Sequence, residues 1–407
     1  MSAGVEQRGS GQESGTPRRR RSRAPFRIGI DARKVKDYGI GSYIRNLLEA
    51  IGRRPESRAY RFRVYARRAD SDALPDLPDH FEVSHDDSAG YSVAELTRFA
   101  WRLMRDRLDL FHATHYVLPP LWKTRAVVTI HDIIHLLYPQ FLPSRAAHVY
   151  ARFMIRRALT RADRIVTVSE NTRRDLVNYF EIPAARIDVI YNGVSPRFHP
   201  DIPREEKERV ASKLGLTFPY LLFLGGEKPH KNVPNVVRAF AKARQERSLP
   251  HSLVLAGSLP PNPARLDALI SALELTESVR RPGVVEEEDL PALFAGAEAF
   301  LYPTLYEGFG LPVVEAMACG TPVLTSATSA LQEIAGGHAC LVDPMDVDAI
   351  ASGIARLATD EEARAEFSAL GRKRALDFSW DKAARRTLDV YAAALAGRGR
   401  QDVRREA

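Results

Sequence analysis

The sequence predicts an α/β protein with two domains, each a parallel sheet covered by helices. The first observation is a repeated succession of apolar strand, polar or glycine-bearing loop and amphipathic helix from residue 26 to residue 377. The second is the turn signal Asn192-Gly193, followed by Ser195-Pro196, which interrupts this succession near its middle. The third is size, because 407 residues with 45% hydrophobic content can form two cores.

The first 25 residues differ from the rest in composition. They contain six arginines against two acidic residues, which contributes +4 to the formal net charge of +8, and almost no apolar side chains. Five of those arginines lie between Arg18 and Arg23, and such a segment predicts disorder. The tail lacks the apolar region of a signal peptide, and no stretch of about 18 apolar residues exists to span a membrane. We therefore expect a soluble, cytoplasmic protein.

The first domain begins with the strand pattern Phe26–Asp31 and a loop that ends in Gly39-Ile40-Gly41. We expect a helix to begin at Ser42, because serine is a good N-cap residue and an apolar stripe follows it. A strand, a glycine-bearing loop and a helix form a turn that suits a phosphate group. This glycine pair alone is a weak signal, since a tight turn needs the same residues.

Two histidines follow later strands of this domain. His131 comes directly after the β-branched strand Ala126–Ile130, and His115 follows the strand that begins at Asp109. Ligands of parallel sheets bind at the carboxyl ends of the strands. We therefore expect His131 to face the cleft, with Asp132 behind it. For His115, a place in the ligand cleft and a histidine in a plain turn stay equally open.

A basic helix is predicted from Ser144 to Ala162. It combines four apolar residues with five arginines: Val149, Phe153, Ile155 and Leu159 against Arg145, Arg152, Arg156, Arg157 and Arg161. A basic amphipathic helix can lie on anionic lipid. A solvated charged face explains the same pattern and is favoured.

The second domain begins with the strand Tyr220–Leu224 and a loop from Gly225 to Asn232 that carries Lys228 and Lys231. A glycine turn and two lysines at the carboxyl end of a strand suit a pyrophosphate. A further strand is expected at Gly283–Val285.

The segment from Glu298 to Thr325 is the most informative. It predicts the strand Ala299–Tyr302, a loop, a helix with Pro312 at its first position, and the next strand. The loop glycines permit close backbone approach to an anion at the helix N-terminus. Glu315 lies eight residues beyond Glu307, and these carboxylates suit sugar hydroxyls. A helix cap beside a structural glutamate is the alternative.

The string EGFGLPVVEAMACGTPV, from Glu307 to Val323, resembles the donor-binding signature of the retaining family 4 glycosyltransferases, especially their mannosyltransferase-like branch. The resemblance implies the GT-B fold, in which two Rossmann-like domains face a central cleft and a C-terminal helix crosses back to the first domain. The expected segments are a disordered basic tail (1–25), an acceptor domain (26–195), a donor domain (196–377), the returning helix (378–397) and a frayed terminus (398–407).

The resemblance also implies roles for single residues. Catalytic roles fall to His131, Glu307 and Lys231, and an acceptor role to His115. The residues implied in donor binding are Gly39, Gly41, Gly225, Lys231, Val285, Gly308, Phe309, Gly310, Leu311 and Glu315. Three positions depart from the family pattern: Tyr38 replaces a glycine, Ser195 stands where members more often have an aspartate, and Gly226 replaces an arginine that many members have. The leaving phosphate is therefore expected to depend more on Lys231, or on Lys228.

The implied activity is retaining transfer of a hexosyl group, mannose from GDP-mannose, to a glycan or lipid-linked glycan acceptor in surface-polysaccharide or glycolipid assembly. A UDP-sugar-dependent transferase and a non-catalytic glycan-binding subunit are the alternatives. An epimerase would not need the paired glutamates. A dinucleotide-dependent dehydrogenase is disfavoured because Gly39-Ile40-Gly41 lacks the third glycine of that fingerprint.

No cofactor or metal is expected beyond the nucleotide sugar itself, which is a co-substrate. The acidic pair in Asp346-Val347-Asp348 precedes a helix, so capping explains it. The arginine tail is expected to contact the inner face of an anionic membrane. A tail that is only solvated is a nearly equal alternative. Specific nucleic-acid binding is not expected.

Overall fold

The computed structural model describes residues 25–88, 95–119, 122–142, 144–226, 228–258 and 263–397. Strands within these ranges form two separate sheets, one of seven strands and one of six, and every neighbouring pair is parallel. The predicted α/β fold class is confirmed. The expected basic tail and frayed C-terminus lie outside the described residues.

The seven-stranded sheet belongs to the first half of the chain. Its strands are β1 (Phe26–Asp31), β2 (Tyr60–Ala66), β3 (Phe81–His85), β4 (Leu110–Ala113), β5 (Arg125–Ile130), β6 (Arg164–Thr167) and β7 (Ile187–Val189). Their order is β3-β2-β1-β4-β5-β6-β7. The order of strands therefore reverses between β1 and β4, which is where ligands of such sheets bind.

Helices cover both faces of this sheet. They are α1 (Ile40–Arg53), α2 (Ala100–Arg105), preceded by a π-helical turn (Glu95–Phe99), α3 (Ile134–Leu137), α4 (Arg145–Arg161) and α5 (Glu170–Phe180). Buried residues of α2, α4 and α5 form one core and those of α1 contribute to a second. The two cores lie on opposite faces of the sheet.

The prediction that Ser42 caps the first helix is wrong. Helix α1 begins at Ile40, preceded by Gly39 in the left-handed region with φ of 69°. A Cβ on Gly41 would lie 2.3 Å from the carbonyl oxygen of Val35, so only glycine fits there. The tight glycine turn, and not a side-chain cap, therefore fixes where the helix starts.

The six-stranded sheet belongs to the second half of the chain. Its strands are β8 (Tyr220–Leu224), β9 (Ser252–Ala256), β10 (Val279–Gly283), β11 (Ala299–Tyr302), β12 (Val323–Ser326) and β13 (Cys340–Val342). Their order is β10-β9-β8-β11-β12-β13. The expected strand at Gly283–Val285 is wrong, because Gly283 adopts φ of 82° and ends β10. Val285 is nevertheless buried, whereas Val284 is exposed.

Eight helices within the described ranges pack on this sheet. They are α6 (Arg204–Lys213), α7 (Val233–Arg247), α8 (Pro263–Ala272), α9 (Leu290–Gly296), α10 (Leu311–Ala318), α11 (Ser329–Ala335), α12 (Val347–Thr359) and α13 (Glu361–Ala375). Pro312 takes the second position of α10, where its missing N–H is not needed. An Asp346 carboxylate oxygen accepts hydrogen bonds from the amides of Asp348 and Ala349, so the acidic pair caps α12.

The last helix, α14 (Trp380–Leu395), leaves the second sheet and packs against α1 of the first domain. Its turn is tight, because a Cβ on Gly193 would lie 2.1 Å from the amide nitrogen of Trp380. The returning helix is thus confirmed. Within the described residues, no helix combines the length and apolar character that crossing a membrane requires.

Candidate functional site

The loop between β11 and α10 reaches across the cleft to the first domain. A Cβ on Gly308 would lie 2.2 Å from the carbonyl oxygen of His131, so the backbone contact requires glycine. Gly310, with φ of 96°, precedes α10 and makes no side-chain cap. Among the described residues, the amides of Gly308, Phe309, Gly310 and Leu311 donate no hydrogen bond. These free N–H groups at a helix N-terminus suit an anion.

Lys231 lies at the centre of the second-domain wall. Its ammonium donates to the Glu307 carboxylate at 2.7 Å and to the Tyr302 hydroxyl at 2.6 Å, and both charged side chains are largely buried. Burial is the largest single influence and opposes its charge, but Glu307 and Tyr302 together outweigh burial and raise the pKa of Lys231. An ammonium has three donors. The third can bind a phosphate oxygen.

Glu315 faces the cleft from α10 without such a partner. No described group donates a hydrogen bond to its carboxylate. Burial raises the pKa of Glu315 to about 7, while the Arg197 guanidinium acts in the opposite direction. A half-buried carboxylate with unused acceptors can bind hydroxyl groups. The two glutamates of the motif therefore have different surroundings.

His131 lies opposite Glu307, at the carboxyl end of β5. Its Nε2 is 2.9 Å from the carbonyl oxygen of Thr114, and because a carbonyl only accepts, Nε2 must carry the proton. Burial lowers the pKa of His131 to about 4, so the ring is neutral near pH 7. Nδ1 then has a free lone pair, which can accept a hydrogen bond from a sugar hydroxyl. Asp132 accepts from the amide of Ile134 and so caps α3.

A buried network that the sequence did not predict supports His131 from below. His112 on β4 joins the Tyr391 hydroxyl of α14 at 2.7 Å to the Thr129 hydroxyl at 2.8 Å. Thr129 also bonds the Tyr43 hydroxyl at 3.1 Å, and the Tyr43 ring contacts the His131 ring edge-on at 4.8 Å. Burial lowers the pKa of His112 to about 3. No local sequence signal distinguishes this histidine from a core residue.

The remaining predicted residues lie in the loops after β4 and β8 and at the start of α1. His115 follows β4 beside the Tyr116 ring, with centroids 3.9 Å apart, and burial lowers its pKa well below the usual value. Gly39 directly precedes α1, and Gly41 is the second residue of that helix. Gly225 follows β8, where a Cβ would lie 3.8 Å from the Lys231 side chain.

Several cross-domain contacts also escaped prediction. Arg45 of α1 and Arg197 pair with the same carboxylate, Glu287 of the second domain. The Tyr306 hydroxyl donates to Asp175 of α5 at 2.6 Å.

Glu333 of α11 spans the two domains at the start of α5. Its two carboxylate oxygens accept the amides of Glu170 and Asn171, each at 2.8 Å. These amides have no intrahelical acceptor, so a carboxylate is favourable there. Together these contacts hold the two walls of the cleft close.

Two cavities lie between the domains along the cleft. One, of about 600 Å³, is lined by charged residues including Arg45, Arg197 and Glu287. The other, of about 440 Å³, is lined by Tyr138 and Tyr306 among others. Among the described residues, no group of three His, Cys, Asp or Glu side chains could hold a metal ion.

Comparison with known proteins identifies similarity over both halves of the chain. The family described as "Glycosyltransferase Family 4" matches residues 38–198, and "Glycosyl transferases group 1" matches residues 204–374. O-antigen chain mannosyltransferase B of Escherichia coli is 34% identical over 303 residues, covering 74% of this chain and 78% of that protein. MMP alpha-(1->4)-mannosyltransferase of Mycolicibacterium hassiacum is 33% identical over 247 residues, covering 60% and 57%.

A solved structure shows the same fold. Sucrose-phosphate synthase from Thermosynechococcus elongatus superposes with a TM-score of 0.73 at 22% identity, covering 91% of this chain and 99% of that one.

Proposed function

Because the chain belongs to the family 4 glycosyltransferases, we propose that it transfers mannose from GDP-mannose to a glycan or lipid-linked glycan with retention of configuration. The observation that carries this proposal is the meeting of Lys231, Glu307 and the free Gly308–Leu311 amides with His131 across one closed cleft. Mannose is preferred as the sugar because two of the similar proteins are named mannosyltransferases. A UDP-sugar donor is the second candidate.

The leaving diphosphate is held by the second domain. Lys231 offers its third N–H, and the amides before α10 offer N–H groups that have no acceptor among the described residues. Groups fixed in this way stabilise charge that develops as the sugar–phosphate bond breaks, and they need no reorganisation at that moment. No cofactor is required, because the departing group is the nucleoside diphosphate itself.

The transferred sugar lies between Glu307 and His131. Glu307 accepts from its hydroxyls and keeps Lys231 oriented, while Nδ1 of neutral His131 accepts from the opposite side. Glu315 accepts from the ribose hydroxyls, and the backbone near Val285 borders the base. The acceptor hydroxyl attacks on the face that the diphosphate leaves, and its proton passes to a departing phosphate oxygen. The acceptor is held beside His115.

The donor is tested by measuring thermal shifts of the purified protein with GDP-mannose, UDP-glucose and ADP-glucose. GDP-mannose should give the largest shift. NMR of the product should show an α-linked mannose, which is the configuration that mannose has in the donor. A β-linked product would refute retention, and a larger shift with UDP-glucose would select the second donor.

Membrane contact is proposed for the arginine tail, with α4 as a second surface. On α4, Val149 and Phe153 are 65% and 59% exposed. They share the outward face with Arg145, Arg152 and Arg156, and the helix contains no acidic residue. Ile155 and Leu159 are buried as core residues. Exposed apolar groups between arginines fit an anionic bilayer surface.

Deletion of residues 1–24 should reduce sedimentation with phosphatidylglycerol vesicles at low salt and leave turnover of a soluble acceptor unchanged. Phe153→Ser is the matched change on α4. If only Phe153→Ser weakens vesicle binding, α4 is the membrane surface and the tail is not.

A further inference from the structure

One cavity lies beside the loop that carries Glu307, and none of the residues assigned to donor binding lines it. It has a volume of about 440 Å³ and is lined by Tyr138, Asn171, Asp175, Tyr306, Thr328 and Ser329. Tyr306 directly precedes Glu307, and the Ser329 hydroxyl accepts the Glu307 amide at 3.2 Å. We propose that this cavity binds a neutral pyranose unit of the acceptor glycan. The proposal rests on the proposed glycosyltransferase function.

Aromatic rings form the apolar part of the cavity. The Tyr138 and Tyr306 rings are 5.9 Å apart, and Tyr138 is stacked on Phe141 with centroids 5.4 Å apart and planes inclined by 10°. The stacking holds Tyr138 in one orientation. Its hydroxyl has no hydrogen-bond partner among the described residues. A rigid ring with a free hydroxyl matches a pyranose, which has one face of C–H groups and a rim of hydroxyls.

Polar groups lie at the opposite side of the cavity. One oxygen of Asp175 accepts from the Tyr306 hydroxyl at 2.6 Å and from the Asn171 side chain at 2.8 Å. The other oxygen receives no hydrogen bond from any described residue. Burial raises the pKa of Asp175 above its usual value. A carboxylate with a free oxygen binds sugar hydroxyls strongly, because hydrogen bonds to charged acceptors are the stronger ones.

The charges of the cavity identify the ligand as neutral. Its lining includes one carboxylate and no lysine or arginine. The Asp175 carboxylate would repel a phosphate or an acidic sugar, whereas it exerts no such repulsion on a neutral hexose. The larger cavity differs, because it contains Arg45 and Arg197 and lies near Glu315 at the nucleotide end. The smaller cavity is therefore the one suited to the glycan.

Both domains contribute to this cavity, so it exists only when the cleft is closed. Tyr138, Asn171 and Asp175 come from the first domain, and Tyr306 and Ser329 from the second. The Tyr306–Asp175 hydrogen bond joins the two walls. A ligand that contacts both walls favours the closed arrangement. The glycan should thus bind more tightly when GDP already holds the domains together.

The test uses saturation-transfer NMR with α-mannotriose, maltotriose and chitotriose in the presence and absence of GDP. Wild type should bind at least one of these trisaccharides, and GDP should strengthen binding at least three-fold. In Tyr138→Ala and in the isosteric Asp175→Asn, the Kd for that trisaccharide should rise at least ten-fold, while the Kd of GDP-mannose changes less than two-fold. Tyr179→Ala, on α5 but outside the cavity, is the control and should bind as wild type.

Two outcomes would overturn the proposal. One is a wild-type protein that binds none of the three trisaccharides with GDP present. The other is unchanged trisaccharide affinity in both variants. The proposed function fails in a different way, namely when wild type consumes no nucleotide sugar. The two results are therefore separable.

Discussion

The two walls of the cleft use different kinds of interaction. The part of the first-domain wall formed by the His131 network is neutral, because His131 and His112 are uncharged near pH 7 and are linked to Thr129, Tyr43 and Tyr391 by hydrogen bonds and ring contacts. The second-domain wall is charged, with Lys231 paired to Glu307. A charged wall stabilises a leaving anion, and a neutral wall positions hydroxyl groups. The difference indicates that charge and position are assigned to separate domains.

The strongest test of the charged wall is Lys231→Met. We expect kcat/KM to fall about 1,000-fold, because the variant removes a charge-stabilising donor and leaves Glu307 unpaired. Lys228→Met is the matched control in the same loop, where the side chain is exposed. A loss below about five-fold is expected there, because an exposed charge screened by solvent contributes little. A large loss in the control would show that the Gly226 departure has moved the phosphate contact to Lys228.

Substitution of the two glutamates tests whether Glu307 acts mainly in transfer and Glu315 mainly in donor binding. Glu307→Ala should lower kcat about 100-fold, since it removes a contact to the reacting sugar and releases Lys231. Glu315→Ala should instead raise the donor Kd about ten-fold, as expected for two lost hydrogen bonds to hydroxyls. Steady-state kinetics and titration calorimetry separate these effects. Equal donor affinity in Glu315→Ala and wild type would refute the ribose assignment.

The strands were the most predictable part of the molecule. β1, β8 and β11 have the expected bounds. β8 and β11 are short apolar runs that are buried almost throughout, and β1 is buried at its three central residues. Errors occurred where one glycine decides the backbone, as Gly283 ends β10 and Gly39 starts α1. Local pattern cannot predict such a choice.

The motif residues of the site could also be predicted, because the motif is a pattern within a short stretch of sequence. Contacts between distant segments could not: His112 and Tyr391 are 279 positions apart, and Glu333 reaches Glu170 across 163. Which polar side chain meets which depends on how the domains pack. The supporting network and the cross-domain contacts therefore required the structure.

The neutral wall is tested by His112→Phe. It breaks the link from Tyr391 to Thr129 and should lower kcat about ten-fold by displacing His131, with little change in donor Kd. His80→Phe is the control, since His80 is also buried in the first domain but bonds Ser57 away from the cleft. Both variants should lose stability. A kcat loss of the same size in both would mean that His112 has only a structural role.

The raised pKa of Glu315 predicts a pH effect on donor affinity. Its pKa in the folded protein is about 7, above the ordinary value of 4.5, so between these pH values the folded protein binds a proton that the unfolded chain does not. The free energy of unfolding therefore decreases as the pH rises from 4.5 to 7. Ionised Glu315 accepts hydroxyl bonds better, by about 1 kcal/mol or roughly five-fold. The Kd of GDP-mannose should therefore decrease roughly five-fold as the pH is raised from about 6 to about 8.

The matched variant for this titration is Glu315→Gln, whose Kd should not change with pH. GDP-mannose is the suitable ligand because both of its phosphates are esterified and do not titrate in this range. A pH dependence that persists in Glu315→Gln would assign the proton to another group.

The smallest expected effect is that of chelation. Many transferases neutralise a diphosphate with a divalent metal, whereas here we propose that Lys231 and the free amides before α10 take that role. No described cluster of carboxylates or histidines could bind a metal beside them. Turnover in excess EDTA should therefore equal turnover without it, measured after dialysis against chelator. Lys231→Met sharpens the comparison, because added Mg²⁺ or Mn²⁺ should not restore its activity. The contrary outcome is a wild-type protein that loses activity in EDTA and regains it when Mn²⁺ is added. That result would show that a metal ion from solution, and not Lys231, balances the charge of the diphosphate.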